Sequence, residues 1–222
     1  MWLGGGDPGK HHDAWAEVIT EIPDDLSELR VKAAKRWTTP PGSSVSGMGP
    51  FYLLVEQAIR DQHLKKPFDK FILEINNTGT HVYEELRFRH SVPVLPVTTI
   101  RQMIDLKKKH DWERMDKNET VGVAVRWNMA GVLKFPKVLT AELAELQRQL
   151  SIFAEIKTGD TGNISYRAQG SEHDDLVMAL LLNVHYARRF LRGLGIVSVS
   201  PRDVDALERA NLPPSSIRVV DG

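Results

Sequence analysis

Phe71-Ile72-Leu73-Glu74-Ile75-Asn76-Asn77-Thr78-Gly79 decides the fold. A short apolar run closed by a polar, glycine-ended turn reads as a buried strand followed by a sharp change of direction. Glu74 is the anomaly in it. A carboxylate beside Phe71, Ile72 and Leu73 is costly to bury unpaired, so it calls for a cation or an arginine partner.

Working outward, the neighbours of this strand are helical. Residues 51–63 place Leu54, Ala58 and Gln62 on adjacent turns, and residues 80–88 also read as a helix. Residues 92–97 form the next strand despite their two prolines. Strands separated by helices imply parallel crossovers. Upstream, residues 14–22 contain β-branched residues in alternation and stop at Pro23. Residues 29–37 alternate apolar Leu29, Val31 and Ala33 with basic Lys32, Lys35 and Arg36, the pattern of a half-buried strand. The Pro-, Gly- and Ser-rich residues 38–50 are expected to form a surface loop.

Downstream, the densely charged residues 105–118 suggest a solvated helix or loop. Residues 140–157 give the clearest amphipathic helix, with Leu143, Leu146, Leu150 and Phe153 on one side. Residues 164–169 read as a short strand and residues 171–191 as a long helix. A tail follows Gly193, with one short helix expected to open at Ser200-Pro201. The pattern is α/β, with a mixed central sheet flanked by helices.

Composition narrows the class. The 222 residues are 41% hydrophobic, enough for one sizeable core. Without cysteine, disulfides, thiolate ligands and a cysteine nucleophile are excluded. No apolar run reaches the length of a membrane span, and Met1-Trp2-Leu3 before three glycines lacks the layout of a signal peptide, so a soluble intracellular chain is expected. Lysine plus arginine equals aspartate plus glutamate at 29 each, which argues against a dedicated nucleic-acid coat.

Three acidic positions carry chemistry. Asp7 follows a glycine-rich first strand, Glu74 ends the buried one, and Asp174-Asp175 open the final helix. A carboxylate at the carboxyl end of a parallel strand points into the crevice where α/β folds bind ligands. Converging carboxylates need a cation, and hard oxygen ligands favour Mg²⁺ or Mn²⁺. Two such ions would activate water and stabilise the leaving oxygen at a phosphodiester. Each position also has a purely structural use. Asp7 in Asp7-Pro8-Gly9 suits a turn, Ser171-Glu172-His173-Asp174 has the spacing of a capping box, and an acidic pair suits the positive end of a helix.

The segments resemble, in order and texture, the nuclease domain of the large terminases of tailed phages and related viruses. The pieces are Leu3-Gly4-Gly5-Gly6-Asp7-Pro8-Gly9, then residues 71–79, then His173-Asp174-Asp175-Leu176-Val177-Met178-Ala179-Leu180. Between the last two come Phe135-Pro136 and a helix carrying Gln149-Leu150 and Phe153. The resemblance covers roughly residues 2–190. It implies an RNase H-like domain over residues 1–192, with residues 193–222 as a C-terminal tail. It further implies endonucleolytic cutting of double-stranded, concatemeric DNA around genome packaging, through two Mg²⁺ or Mn²⁺ ions. Asp7, Glu74, Asp174 and Asp175 would be the metal-binding acids, with the choice within the adjacent pair open. His173 would shape the site or cap the helix. Double-stranded DNA, a portal protein and a small terminase subunit would be the partners, in the host-cell cytoplasm.

Two departures stand out. The motor domain that precedes this region in the family is not in the chain, which makes it an excised domain or a short relative. Three glycines replace apolar residues in the first strand, and glycine weakens a strand, so Asp13 stands as the alternative to Asp7. Three other readings remain. One is a RuvC-like junction resolvase on the same fold, and another is a DNA- or portal-docking module without metal. The third is a P-loop at Gly4-Gly5-Gly6-Asp7-Pro8-Gly9-Lys10-His11, in which His11 replaces the metal-binding hydroxyl.

Overall fold

The strand around Phe71 is the hub of the molecule. In the computed structural model, which describes residues 1–8, 15–38, 48–76, 79–100, 112–158, 163–168 and 173–191, β4 (Lys70–Glu74) buries Phe71, Ile72 and Leu73 completely. It lies between β1 (Trp2–Asp7) and β5 (Val94–Ile100), parallel to both. β2 (Trp15–Glu21) and β3 (Leu29–Trp37) continue from β1 as an antiparallel meander. β6 (Glu113–Asp116) and β7 (Leu133–Lys134) close the edges, giving the order β6-β5-β4-β1-β2-β3-β7. The sheet is mixed, as expected.

Helices cover both faces. α1 (Met48–Lys65), α2 (Gly79–Glu84) and the π-helical turn Glu85–Arg89 pack Val55, Ile59, Val82 and Leu86 over Phe71 and Leu73. α3 (Lys117–Met129), α4 (Ala141–Ile152) and α5 (Asp175–Ala187) build the other core over Leu3, Val18 and Ile72. β8 (Phe153–Thr158) and β9 (Asn163–Ala168) form a separate hairpin between α4 and α5.

Several sequence expectations need correction. α1 begins at Met48, inside the stretch read as a loop, because Pro50 sits in its first turn, where the missing N–H has no intrahelical acceptor to lose. Residues 113–116 are a strand and not a charged helix or loop. They pair with β5 at an edge, and only Met115 is buried, so no alternation betrays them. The helix read over residues 140–157 ends at Ile152, and Phe153 starts β8. α5 opens at Asp175 and not at Ser171, and the tail after residue 191 lies outside the described residues. Pro96 is tolerated within β5. Pro93 and Val97 accept from β4, so Pro96 turns away from β4, and β6 pairing starts only at Val97.

β1 is a full central strand despite its glycines, paired on both sides at Gly4, Gly5 and Gly6. The reason is tertiary. A Cβ on Gly5 would stand 2.1 Å from the carbonyl oxygen of Ala179 in α5. The helix backbone touches the strand backbone there, and only glycine leaves room.

Candidate active site

The acids are placed by register. Gly6 pairs with Leu73 in the parallel β1–β4 ladder, so Asp7 and Glu74 are the next neighbours at the carboxyl ends of adjacent strands. Adjacent strands lie about 4.8 Å apart. Alternation puts both side chains on the face of Leu3, Gly5 and Ile72, the face covered by α5. The same row continues from Asp7 through Ala16 to Arg36 on β3. On the other side it runs from Glu74 through Val97 to Glu113 on β6.

The turn after β4 is built to hold Glu74. Asn76 Nδ2 donates to Glu74 Oε1 at 2.7 Å. Gly79 folds back against the end of β4, where a Cβ would meet the Glu74 carbonyl oxygen at 2.1 Å. Asn77 and Thr78 lie outside the described residues.

α5 brings the remaining acids over this face. Ala179 and Asn183 meet Gly5, and Asn183 Nδ2 donates to the Val18 carbonyl at 2.8 Å. One turn earlier on the same stripe is Asp175, 8% exposed, whose Oδ2 accepts from Arg36 Nη2 at 3.2 Å. Asp174, half-buried, is the N-cap residue but makes no side-chain cap. Its Oδ2 accepts from Lys117 Nζ at 3.4 Å. Lys117 opens α3 directly after β6.

The expected capping box is therefore not what starts α5, and Ser171 lies outside the described residues. A residue of another helix does the work. The fully buried Gln149 of α4 accepts the Leu176 N–H on Oε1 at 3.0 Å and donates from Nε2 to Glu145 Oε1 at 3.1 Å. An otherwise orphaned donor in the first turn of α5 is satisfied across the interface, and Asp175 is held in place with it.

The structure thus sets Asp7 beside Glu74 and brings Asp174 and Asp175 to the start of the helix that covers them. His173 is exposed, and Asp13 lies outside the described residues. Among the described residues, no three His, Asp or Glu side chains are arranged to hold one metal ion as they stand. Two of the acids carry protein cations instead, Arg36 and Lys117.

Sequence reasoning missed both cations. Arg36 left one trace, because Lys35 and Arg36 are adjacent polar residues in a strand that should alternate. That parity slip is a β-bulge. Thr20 pairs with Val31 and Ile19 with Ala33, so Lys32 is extra, and every later side chain changes face. Glu113 was also missed. It sits on the α5 face, binding His185 Nε2 at 2.6 Å and Arg189. Burial pushes its carboxyl up, but the hydrogen bonds from His185 and Arg189 together with their charge hold it below the ordinary range.

Several basic side chains among the described residues are held by neighbouring carboxylates. Lys66 pairs with Glu21, Arg89 with Glu85, and Arg188 with Glu119. The P-loop reading fails, because Gly4, Gly5 and Gly6 are inside a central strand and do not form a loop that could cradle phosphate. Among the described residues no helix is long and apolar enough to cross a membrane.

No family model matches the chain, and no curated protein matches it in sequence. Solved structures do match. The large terminase nuclease from thermophilic phage G20c is 15% identical, with a TM-score of 0.57 over 85% of this chain and 82% of that one. The same nuclease with bound magnesium is 19% identical, with a TM-score of 0.54 over 83% and 80%. The manganese-soaked terminase nuclease domain of human cytomegalovirus is 13% identical, with a TM-score of 0.54 over 83% of each chain. The mixed sheet with its central order β3-β2-β1-β4-β5, covered by helices on both faces, is thus the RNase H-like fold of the large-terminase nuclease domains.

Proposed function

We propose that this chain is a metal-dependent endonuclease acting on double-stranded DNA. One observation carries the reading: Asp7 and Glu74 lie side by side at the carboxyl ends of parallel strands, on the face to which α5 delivers Asp174 and Asp175. All four offer hard oxygen donors, the set that suits Mg²⁺ or Mn²⁺. A pair of such ions supplies an activated water and charge stabilisation at the phosphodiester. The chain's own part is to fix those donors. Asn76 orients Glu74, Gln149 docks the start of α5, and the Gly5–Ala179 contact sets the helix against the strand. The structures with bound magnesium or soaked with manganese support the choice of ion.

On this reading residues 1–192 are the nuclease unit and residues 193–222 a tail. The setting is viral genome packaging in the host-cell cytoplasm, with a portal protein and a small terminase subunit as partners.

The test is nicking and linearisation of supercoiled plasmid with Mn²⁺, with Mg²⁺ and with chelator, comparing wild type with Glu74→Ala. Cutting that needs metal and drops by at least about a hundredfold in the variant is expected. Equal cutting by folded Glu74→Ala would remove Glu74 from the site. Cleavage of four-way junctions without cleavage of plain duplex would change the substrate to a junction.

A further inference from the structure

The Arg36–Asp175 contact is the feature that the metal-site reading leaves unexplained. Arg36 reaches the α5 face only because the bulge at Lys32 reverses the alternation of β3. Without that bulge Arg36 would point under α1. A backbone irregularity that re-aims one guanidinium onto a row of carboxylates needs a use for the charge.

The contact is also loose. Its single bond is 3.2 Å, beyond the roughly 2.7–2.9 Å of a charge-assisted hydrogen bond. Arg36 Nε is buried without a hydrogen-bond partner. An arginine built to lock a carboxylate engages it with two parallel N–H bonds. Arg36 makes a single bond to Asp175 in place of that fork.

We propose that Arg36 is the resident counter-ion of the acidic row, neutralising Asp175 until a divalent cation takes its place. This rests on the metal-site reading and assigns Asp175, on the stripe that faces Gly5, as the acid that changes partner. Two consequences have opposite signs. In the absence of metal Arg36 stabilises the fold, because it relieves repulsion among Asp7, Glu74 and Asp175. Toward metal it is a competitor, occupying a ligand oxygen and adding a like charge to the site. A residue that merely positioned Asp175 would do the reverse, and its loss would weaken metal binding.

The experiment is Mn²⁺ titration by calorimetry on wild type, Arg36→Gln, Arg36→Lys and Glu74→Ala, with thermal melts of each in chelator. Arg36→Gln should melt lower in chelator and bind Mn²⁺ about five- to tenfold tighter, while Arg36→Lys stays within about twofold of wild type. In wild-type protein the Arg36 Nε–H resonance, identified by its absence from Arg36→Lys, should shift on Mg²⁺ titration and saturate with the binding isotherm. That readout serves even if Arg36→Gln does not fold. Unchanged or weaker Mn²⁺ binding by folded Arg36→Gln, or an unmoved Arg36 resonance at saturation, overturns the proposal while leaving the metal site standing. No Mn²⁺ binding by any of the four proteins overturns the metal-site reading and the counter-ion with it.

Discussion

At the scale of single residues, the most consequential group away from the acidic row is Glu17. It sits on the opposite face, under α1, 1% exposed, with Gln62 Nε2 donating to its Oε2 at 3.2 Å and its Oε1 unpartnered. Burial pushes its carboxyl up to about 7, against the opposing pull of Gln62 and Lys35. Between pH 4.5 and 7 the unfolded chain has released this proton and the folded chain keeps it. The folded state therefore binds more protons, and stability falls as pH rises through that window. The size is on the order of 3 kcal/mol. Glu56, buried on α1 and pushed up to about 7 mainly by burial, acts in the same sense. Glu17→Gln should flatten part of this slope and be more stable than wild type at pH 8 by about 2–3 kcal/mol, measured by urea unfolding at pH 4.5, 6 and 8. Equal pH slopes for the two proteins would show that Glu17 ionises in the fold at its ordinary value.

At the scale of elements, the start of α5 is held from α4. Gln149→Leu leaves the buried Leu176 N–H without an acceptor and should cost about 1–3 kcal/mol. Gln149→Glu, which keeps an acceptor near a positive helix end, should cost less. Native-state amide exchange at Leu176 separates the two outcomes, since faster exchange confined to the first turn of α5 is expected only in Gln149→Leu. This element also marks where sequence reading stops. β3 was legible in its bounds because Leu29 and Val31 alternate with Arg30 and Lys32 before the bulge breaks the period, and β4 because three apolar residues end at a turn. β6 was not, because one buried methionine among charges makes no period. Phe153 was drawn into α4 because Leu143, Leu146 and Leu150 continue to it at helical spacing, while the strand that claims it is defined by pairing with Ala168. Of the proposed site, the four candidate acids were named from the chain alone. Their counter-charges were not. Arg36 and Asp175 are 139 residues apart, and Lys117 and Asp174 are 57 apart, so only the fold introduces them.

At the scale of the whole molecule, net charge limits how the proposed nuclease would grip DNA. Its 29 basic and 29 acidic residues balance, and several surface arginines and lysines are already paired with neighbouring glutamates. For the proposed nuclease, affinity from phosphate neutralisation is therefore expected to be small. Binding to a labelled duplex in chelator should be weaker than about 10 µM near physiological salt, and should change by less than about tenfold between 50 and 200 mM salt. A protein with six to ten phosphate contacts would lose about 10³–10⁵ over the same range. Fluorescence anisotropy across that salt series checks it, and a steep slope would show that the chain makes many phosphate contacts.

The contact between Gly5 and Ala179 works like the datum face of a machined part. Most parts of a protein meet through side chains, whose rotamers act as compliant shims. Here two main chains meet directly, with no shim between them. Asp7 lies two residues along the strand from this contact and Asp175 one turn along the helix, so both are gauged from the same datum. Repacking elsewhere in the core is expected to disturb the spacing of those two residues less than repacking at this contact. The weakness that three glycines bring to an isolated strand becomes, in the assembled fold, the tolerance to which the site is cut.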